Sequence, residues 1–180
     1  PFQFKQFNID QSKEVFRVGT DGVLLGASST VKHAATILEV GTGTGLVALM
    51  IAQRNMAAKI QAIDIDKKAV DLAAKNFKNS PFNNRLHVFL QDYRNFSAEE
   101  KFDLIIIDQS FIDDKFNTIK QFSKKLGAIC SEELPFDKSR DFIIQRPFLP
   151  TKLEEILIEQ IEIIKEDRAK EKESDLNRYE

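Results

Sequence analysis

Residues 38–46 read Leu38-Glu39-Val40-Gly41-Thr42-Gly43-Thr44-Gly45-Leu46, a glycine-rich turn between two apolar segments. Residues 37–40 predict a short buried strand, and residues 46–53 predict the helix that follows it. Glycine allows a sharp turn and lets a ligand lie against backbone amides at a helix N-terminus. The spacing is not the dinucleotide fingerprint G-x-G-x-x-G, because Leu46 stands where its third glycine would fall. The turn therefore indicates a ligand site in an α/β protein. The alternative is a glycine-rich turn that binds nothing.

Three further apolar segments are predicted strands, and each ends in an acidic residue. They are residues 59–66, 85–92 and 102–108. Residues 102–108 are almost wholly apolar, which is typical of a strand buried on both faces of a parallel sheet. Strands that alternate with helices predict an α/β fold with a mostly parallel, doubly wound sheet, and a ligand site along the carboxyl edge of its strands.

The acidic residues at the strand ends are candidate ligands for a nucleotide. In nucleotide-binding α/β folds, an acid after the second strand accepts hydrogen bonds from ribose hydroxyls. Asp64 lies nineteen residues after Gly45, close to the usual interval. Asp66 is the better N-cap for a helix over 67–78, although both acids could serve only as caps. A carboxylate at Asp92 can accept a hydrogen bond from an adenine amino group.

The N-terminal thirty residues combine aromatic side chains with a polar run. Phe2, Phe4 and Phe7 precede the polar residues 10–13, and Phe16 and Val18 follow them. This pattern predicts two short strands joined by a turn at 10–13. The next polar pair, Thr20 and Asp21, is flanked by glycines just before an apolar helix. It indicates a loop that faces a ligand, a helix N-cap at Thr20 or Asp21, or both.

The pattern beyond Phe111 is weaker. It predicts a helix over 113–125, a strand over 127–130 and a helix within 134–146. Residues 155–164 fit a strand or a helix equally well. Residues 165–180 are dominated by charges and predict a solvated helix or a charged tail.

Composition predicts one domain over residues 1–180. A net charge of −2 gives no overall basic field, although a local basic patch would suffice for RNA. The single Cys130 excludes an internal disulfide and is typical of a reducing, cytoplasmic compartment. No apolar run approaches the length of a membrane span. The basic residues that would contact RNA if they shared a face are Lys5, Lys13, Arg17, Arg85, Lys115 and Lys120.

Four segments carry a family resemblance: Phe2-Gln3-Phe4-Lys5-Gln6-Phe7, Val18-Gly19-Thr20-Asp21-Gly22-Val23-Leu24-Leu25-Gly26-Ala27, the turn at 39–45 with Leu49-Met50-Ile51-Ala52-Gln53-Arg54, and Asn79-Ser80-Pro81. The turn resembles motif I of class I S-adenosylmethionine-dependent methyltransferases. Together the segments resemble the bacterial methyltransferases that modify adenine N6 beside the anticodon of valine tRNA. The resemblance covers about residues 2–111, and the second segment is more specific than the turn.

The resemblance implies a Rossmann-like fold, S-adenosylmethionine as cofactor and tRNA as partner. We further expect no metal ion and a monomer. Residues 1–30 would form a hairpin and a segment that covers the cofactor. The turn would hold the methionine moiety, Asp64 the ribose and Asp92 the adenine. The implied cofactor-binding residues are Thr20, Asp21, Glu39, Gly41, Thr42, Gly43, Gly45, Asp64, Ile65, Asp92, Tyr93 and Asp108.

The resemblance breaks at the catalytic position. In the family the fourth strand leads into Asn-Pro-Pro-Tyr or Asn-Pro-Pro-Phe, whereas this chain has Asp108-Gln109-Ser110-Phe111, and its part after Phe111 is shorter. The adenine amino nitrogen is a poor nucleophile, because its lone pair is delocalised into the ring. An acceptor at Asp108 would orient the amino group, and Phe111 would stack on the flipped base. Transfer is then mostly positioning.

Three hypotheses follow from these residues. The first is an S-adenosylmethionine-dependent methyltransferase that acts on adenine N6 in tRNA. The second is a catalytically impaired module that binds cofactor or RNA, suggested by the replacement at Gln109 and Ser110. The third is a glutamine methyltransferase that acts on a protein, against which the segment at 18–27 argues.

Overall fold

The computed structural model of the protein describes residues 1–15, 17–108, 112–113, 116–130 and 141–145. For residues 142–145 it describes the backbone alone. Phe111 and the predicted segments at 155–164 and 165–180 lie outside these ranges. Two short strands pair antiparallel, β1 (Phe2–Gln3) with β2 (Asn8–Ile9). Four α-helices are described: α1 (Thr20–Ser28), α2 (Leu46–Arg54), α3 (Lys67–Lys78) and α4 (Phe116–Lys120).

The main sheet has six strands in the described part of the chain: β3 (Thr36–Val40), β4 (Lys59–Asp64), β5 (Leu86–Leu90), β6 (Phe102–Asp108), β7 (Ser123–Cys130) and β8 (Phe142–Gln145). Their order is β5-β4-β3-β6-β7-β8, and every neighbouring pair is parallel. This confirms the prediction of a doubly wound sheet. From β3 the chain goes to β4 on one side and later returns to β6 on the other, so the direction of winding changes between β3 and β6.

The centre of the core is the pair β3 and β6. Ile37 is paired with Leu104 and Val40 with Ile107, and the four consecutive residues 104–107 of β6 are at most 1% exposed. Burial on both faces explains why this strand reads as an unbroken apolar run. Its carboxyl end therefore has a rigid position.

Two arginines bind backbone carbonyl groups at the C-terminal ends of α1 and α2. Arg54 Nη1 donates to the carbonyls of Gly26 and Ser29, both at 2.8 Å, and so joins the ends of α1 and α2. Arg85 donates to the carbonyls of Ala52 at 2.5 Å and Asn55 at 2.8 Å. Cations at this end of a helix satisfy carbonyls that have no partner within the helix. Arg85 therefore has a structural role in holding these carbonyls.

The predicted N-terminal turn is in the wrong place. The hairpin turns at residues 4–7, where the Phe4 amide donates to the Phe7 carbonyl at 2.9 Å and the two rings stack with centroids 4.7 Å apart. Burial of Phe7 and Ile9 fixes this register. Residues 10–13, the predicted turn, follow the second strand.

Two predictions in the C-terminal part are also wrong. The helix predicted over 113–125 is shorter in the structure, where α4 ends at Lys120. It ends there because strand β7 begins at Ser123, not at 127 as predicted, and Ser123 pairs with Phe102 of β6. Residues 142–145, predicted as helix, form β8 beside β7. In both places sheet pairing overrides a local helical pattern. Within the described ranges, no helix has the length and apolar character needed to cross a membrane.

Candidate functional site

The glycine turn combines left-handed backbone with an open space. Gly41, Gly43 and Gly45 have φ of 76°, 55° and 82°. A Cβ atom at Gly45 would lie 2.5 Å from Cε1 of Phe77, so this position has no room for a side chain. A Cβ atom at Gly43 would meet nothing within 4 Å. The turn therefore packs on α3 at Gly45. At Gly43 it leaves an open space, the cradle, which a ligand can fill.

Asp64, at the carboxyl end of β4, holds the turn in place. Its Oδ2 accepts a hydrogen bond from the Gly43 amide at 2.9 Å, and its Oδ1 accepts one from the Asp66 amide at 3.0 Å. The Asp66 side chain accepts from the Lys68 amide at 2.9 Å and caps α3, as the sequence predicts. Each carboxylate oxygen accepts more than one hydrogen bond, so Asp64 can still bind a hydroxyl group.

A cavity of about 690 Å³ lies at the carboxyl ends of β3, β4, β6 and β7 and against the start of α1. Ligand sites of open α/β sheets lie at such a change in winding direction, and this volume is typical of small-molecule sites. The predicted site residues that line it are Thr20, Asp21, Glu39, Gly41, Thr42, Gly43, Asp64 and Asp108. The N-cap of α1 is Gly19, not Thr20 or Asp21 as one alternative had it. Thr20 and Asp21 occupy the first turn of the helix.

Glu39 is a buried acid at the floor of this cavity. It is 4% exposed, and its Oε2 accepts a hydrogen bond from the Thr42 hydroxyl at 2.7 Å. Burial raises the pKa of Glu39 to about 8, and the negative charge of Asp64 also raises it. Burial therefore favours the protonated form of Glu39 in the protein alone. A cation in the cavity would favour its ionised form.

A second cavity of about 270 Å³ shares Val40, Gly41 and Asp64 with the first. The predicted residues Ile65, Asp92 and Tyr93 line it. Ile65, 60% exposed, presents an apolar surface there. This arrangement fits a flat aromatic group held between an apolar side chain and polar edges.

Arg94 is a residue of the second cavity that sequence reasoning missed. Its guanidinium donates to both carboxylate oxygens of Asp92, with Nη2 2.6 Å from Oδ2 and Nε 2.9 Å from Oδ1. This pairing lowers the pKa of Asp92. Asp92 thus already has a partner that an adenine amino group would share. Burial raises the pKa of the neighbouring Tyr93, and the Asp113 carboxylate raises it further.

Asp108 ends β6 and lines the first cavity together with the glycine turn. The structure thus brings the predicted acceptor and the predicted cofactor turn to one space. Phe111, the predicted stacking residue, lies outside the described part of the chain. Among the described residues, no group of three or more histidine, cysteine or acidic side chains is arranged to hold a metal ion.

Comparison with a known structure is consistent with this fold. The structure described as StiE O-MT residues 942-1257 superposes with a TM-score of 0.50 at 16% identity, covering 57% of this chain and 39% of that one. At this identity the likeness concerns the fold alone.

Sequence relatives give a closer match. A tRNA1(Val) (adenine(37)-N6)-methyltransferase of Flavobacteriaceae bacterium (strain 3519-10) is 57% identical over 113 residues, which are 63% of this chain and 49% of the relative. A protein of the same name from Flavobacterium psychrophilum is 40% identical over 141 residues, 76% of this chain and 59% of the relative. The chain thus matches about half the length of these relatives. The model of the methyltransferase small domain family matches residues 12–164. The chain belongs to the methyltransferase small domain family.

Proposed function

We propose that this chain is the methyltransferase domain of an enzyme that transfers a methyl group from S-adenosylmethionine to N6 of an adenine in tRNA, beside the anticodon of valine tRNA. The observation that carries the proposal is that the glycine turn and Asp108 line the same cavity. The names of the relatives at 57% and 40% identity support the choice of substrate.

The residues of the two cavities fit S-adenosylmethionine. The space beside Gly43 admits a ligand, and Glu39 lies below it as a buried acid that a cation would ionise. In this proposal the methionine moiety lies against residues 39–45, with Thr20 and Asp21 above it. Asp64 accepts from the ribose hydroxyls, and the adenine lies in the second cavity at Ile65, Asp92 and Tyr93. When bound, the cofactor supplies an electrophilic methyl group on its sulfonium.

The chain's own part in the reaction is positioning. Asp108 accepts a hydrogen bond from the target amino group at the end of a rigid, buried strand, and this orients the nitrogen lone pair towards the methyl group. The target base must leave its stack to reach this position, and Phe111 is proposed to stack on it. Lining by Ile106, Ile107 and Ile129 makes this end of the cavity apolar.

The remaining parts of the proposal concern the whole molecule. We place the protein in the cytoplasm as a monomer, with residues 1–180 as one methyltransferase domain that requires no metal ion. Residues 1–30 cover the cofactor, and residues 165–180 form a charged tail. The single cysteine, buried Cys130, agrees with a reducing compartment.

The test is nucleoside mass spectrometry of unmodified valine tRNA incubated with the chain and S-adenosylmethionine. New N6-methyladenosine is expected. Asp108→Ala should lower its rate of formation at least about 100-fold, whereas Asp108→Asn, which keeps an acceptor oxygen, should retain much of it. Asp71→Ala, an exposed acid on α3, is the matched control and should leave the rate unchanged.

Two outcomes would favour the alternative hypotheses. Binding of S-adenosylmethionine without any methylated RNA would indicate a catalytically impaired module. Methylation of a glutamine in a protein such as a release factor, with none in tRNA, would indicate the third hypothesis. The names of the relatives favour neither alternative.

A further inference from the structure

The charged residues around the larger cavity are very unequal in sign. Among the described residues that line it, Arg17 is the one cation. The acidic residues are Asp21, Glu39, Asp64, Asp66 and Asp108. A ligand for this space should therefore carry positive charge together with one negatively charged group.

Arg17 is available to such a negative group. Its side chain is exposed at the cavity mouth and, within the described part of the chain, makes no hydrogen bond or ion pair. By contrast, Arg54, Arg85 and Arg94 all bind carbonyl or carboxylate oxygens. A guanidinium that faces a cavity without an internal partner is suited to bind a carboxylate through two parallel hydrogen bonds.

The backbone around Arg17 is held over the cavity by α3. We call residues 10–15, 17 and 18 the strap. Asp10 pairs with Lys75 at 2.8 Å, and Glu14 pairs with Lys68 at 2.6 Å. Val15, 7% exposed, also lines the cavity, and the Val18 amide donates to Gln11 Oε1 at 3.1 Å. Contacts before and after Arg17 in the chain thus fix the position of its backbone.

We propose that Arg17 binds the α-carboxylate of the methionine moiety of S-adenosylmethionine. The inference rests on the proposed function, because it takes this cofactor as the ligand. The cofactor carries a sulfonium, an ammonium and one carboxylate, and the cavity offers several acids and one guanidinium. The one guanidinium of the site thus matches the one carboxylate of the cofactor, and the acidic residues match its positive charges.

An RNA phosphate is the competing anion. The carboxylate is favoured because Arg17 lines the same cavity as Gly41, Thr42 and Gly43, which the methionine moiety would contact. The guanidinium thus acts as a specificity determinant for the amino-acid end of the cofactor.

The test is calorimetric binding of two ligands, S-adenosylhomocysteine and its decarboxylated form, which retains the ammonium. The wild-type chain should bind the first about tenfold more tightly. Arg17→Ala should lose about tenfold in affinity for S-adenosylhomocysteine and almost nothing for the decarboxylated ligand. Arg17→Lys should recover part of the loss. Lys13→Ala, an exposed cation of the strap that does not line the cavity, is the matched control and should bind both ligands as wild type does.

Other outcomes would overturn the assignment. An equal loss for both ligands in folded Arg17→Ala and Arg17→Lys, checked by thermal unfolding, would mean that the residue only supports the strap. Unchanged affinity for S-adenosylhomocysteine, with weaker binding of a valine tRNA anticodon stem-loop, would assign Arg17 to RNA. If the wild-type chain bound neither adenosine ligand, the proposal that S-adenosylmethionine is the cofactor would be wrong. This result differs from the two outcomes above, in which the wild-type chain still binds S-adenosylhomocysteine.

Discussion

The side-chain amide of Asn76 donates a hydrogen bond of 2.8 Å to the backbone carbonyl of Thr44, which lies 32 residues earlier in the chain. The same side chain also donates to the Asp10 carbonyl at 3.1 Å and accepts from the Asp10 amide at 2.9 Å. Asn76 is 2% exposed. One buried amide on α3 thus joins the glycine turn to the strap.

Removal of this amide should destabilise the protein. Asn76→Ala leaves the Thr44 and Asp10 backbone groups without their partner, and we expect a loss of about 3 kcal/mol in the free energy of unfolding. Urea denaturation followed by circular dichroism measures it. Asn79→Ala, an exposed position at the end of the same helix, should change this free energy by less than about 0.5 kcal/mol. Equal losses in the two variants would contradict the prediction.

Alanine at two glycines of the turn should separate stability from binding. Gly45→Ala places a Cβ atom against Phe77 at positive φ and should cost about 3 kcal/mol or more of stability. Gly43→Ala enters open space and should cost only the backbone strain of about 1 kcal/mol. Its methyl group instead occupies the cradle, so affinity for S-adenosylhomocysteine should fall at least tenfold. Thermal unfolding and calorimetry test the pair, and the reverse order of effects would be inconsistent with this geometry.

The two acids at the carboxyl end of β4 should differ in how well they tolerate replacement by asparagine. Asp64→Asn replaces one acceptor oxygen by a donor, which opposes either the Gly43 or the Asp66 amide. We therefore expect a loss of about 2 kcal/mol together with weaker cofactor binding. Asp66→Asn should be nearly neutral, since asparagine caps helices as well as aspartate does. Chemical denaturation of both variants is the measurement, and a neutral Asp64→Asn would show that the carboxylate does not hold the turn.

Glu39 should make stability depend on pH. Its carboxyl pKa is raised to about 8 in the folded chain from an ordinary value of 4.5, so between these values the unfolded state loses the proton first. The free energy of unfolding should therefore fall as pH rises, by at most about 1.4 kcal/mol per pH unit from this group. Glu39→Gln removes the contribution. The difference between wild type and variant, measured by denaturation from pH 5 to 8, should change across the range, and parallel curves would refute the assignment.

The elements that the sequence predicts well are those with complete local signals. Helix α3 has the predicted bounds, because Asp66 caps it and its apolar residues repeat at helical spacing. Strand β6 has the predicted bounds because a strand buried on both faces is apolar throughout. The errors fall where a distant strand determines the structure, as at Ser123, which pairs with Phe102.

The same distinction applies to the site. Asp64 and Asp108 were predictable because they stand at the ends of apolar strands, which meet at one edge of a parallel sheet. Glu39 lies inside β3 and was predicted only from the resemblance of the glycine turn to motif I. Asn76 gave no such signal, since a polar residue inside a helix is usually a solvent-facing one. Arg94 and Arg17 gain their roles from the cavities that they line, and a cavity has no counterpart in local sequence.

The pairing of β3 with β6 joins parts of the chain that are far apart. Thr36 and Asp103, 67 residues apart, exchange hydrogen bonds at the start of this pair. Long loops cost more entropy to close, and parallel pairing between distant segments forms slowly. We therefore expect this junction to assemble late on the folding pathway, and the larger cavity lies across its carboxyl end. A ligand bound there would hold this long-range contact together, and would prolong the lifetime of the native state without hastening its formation.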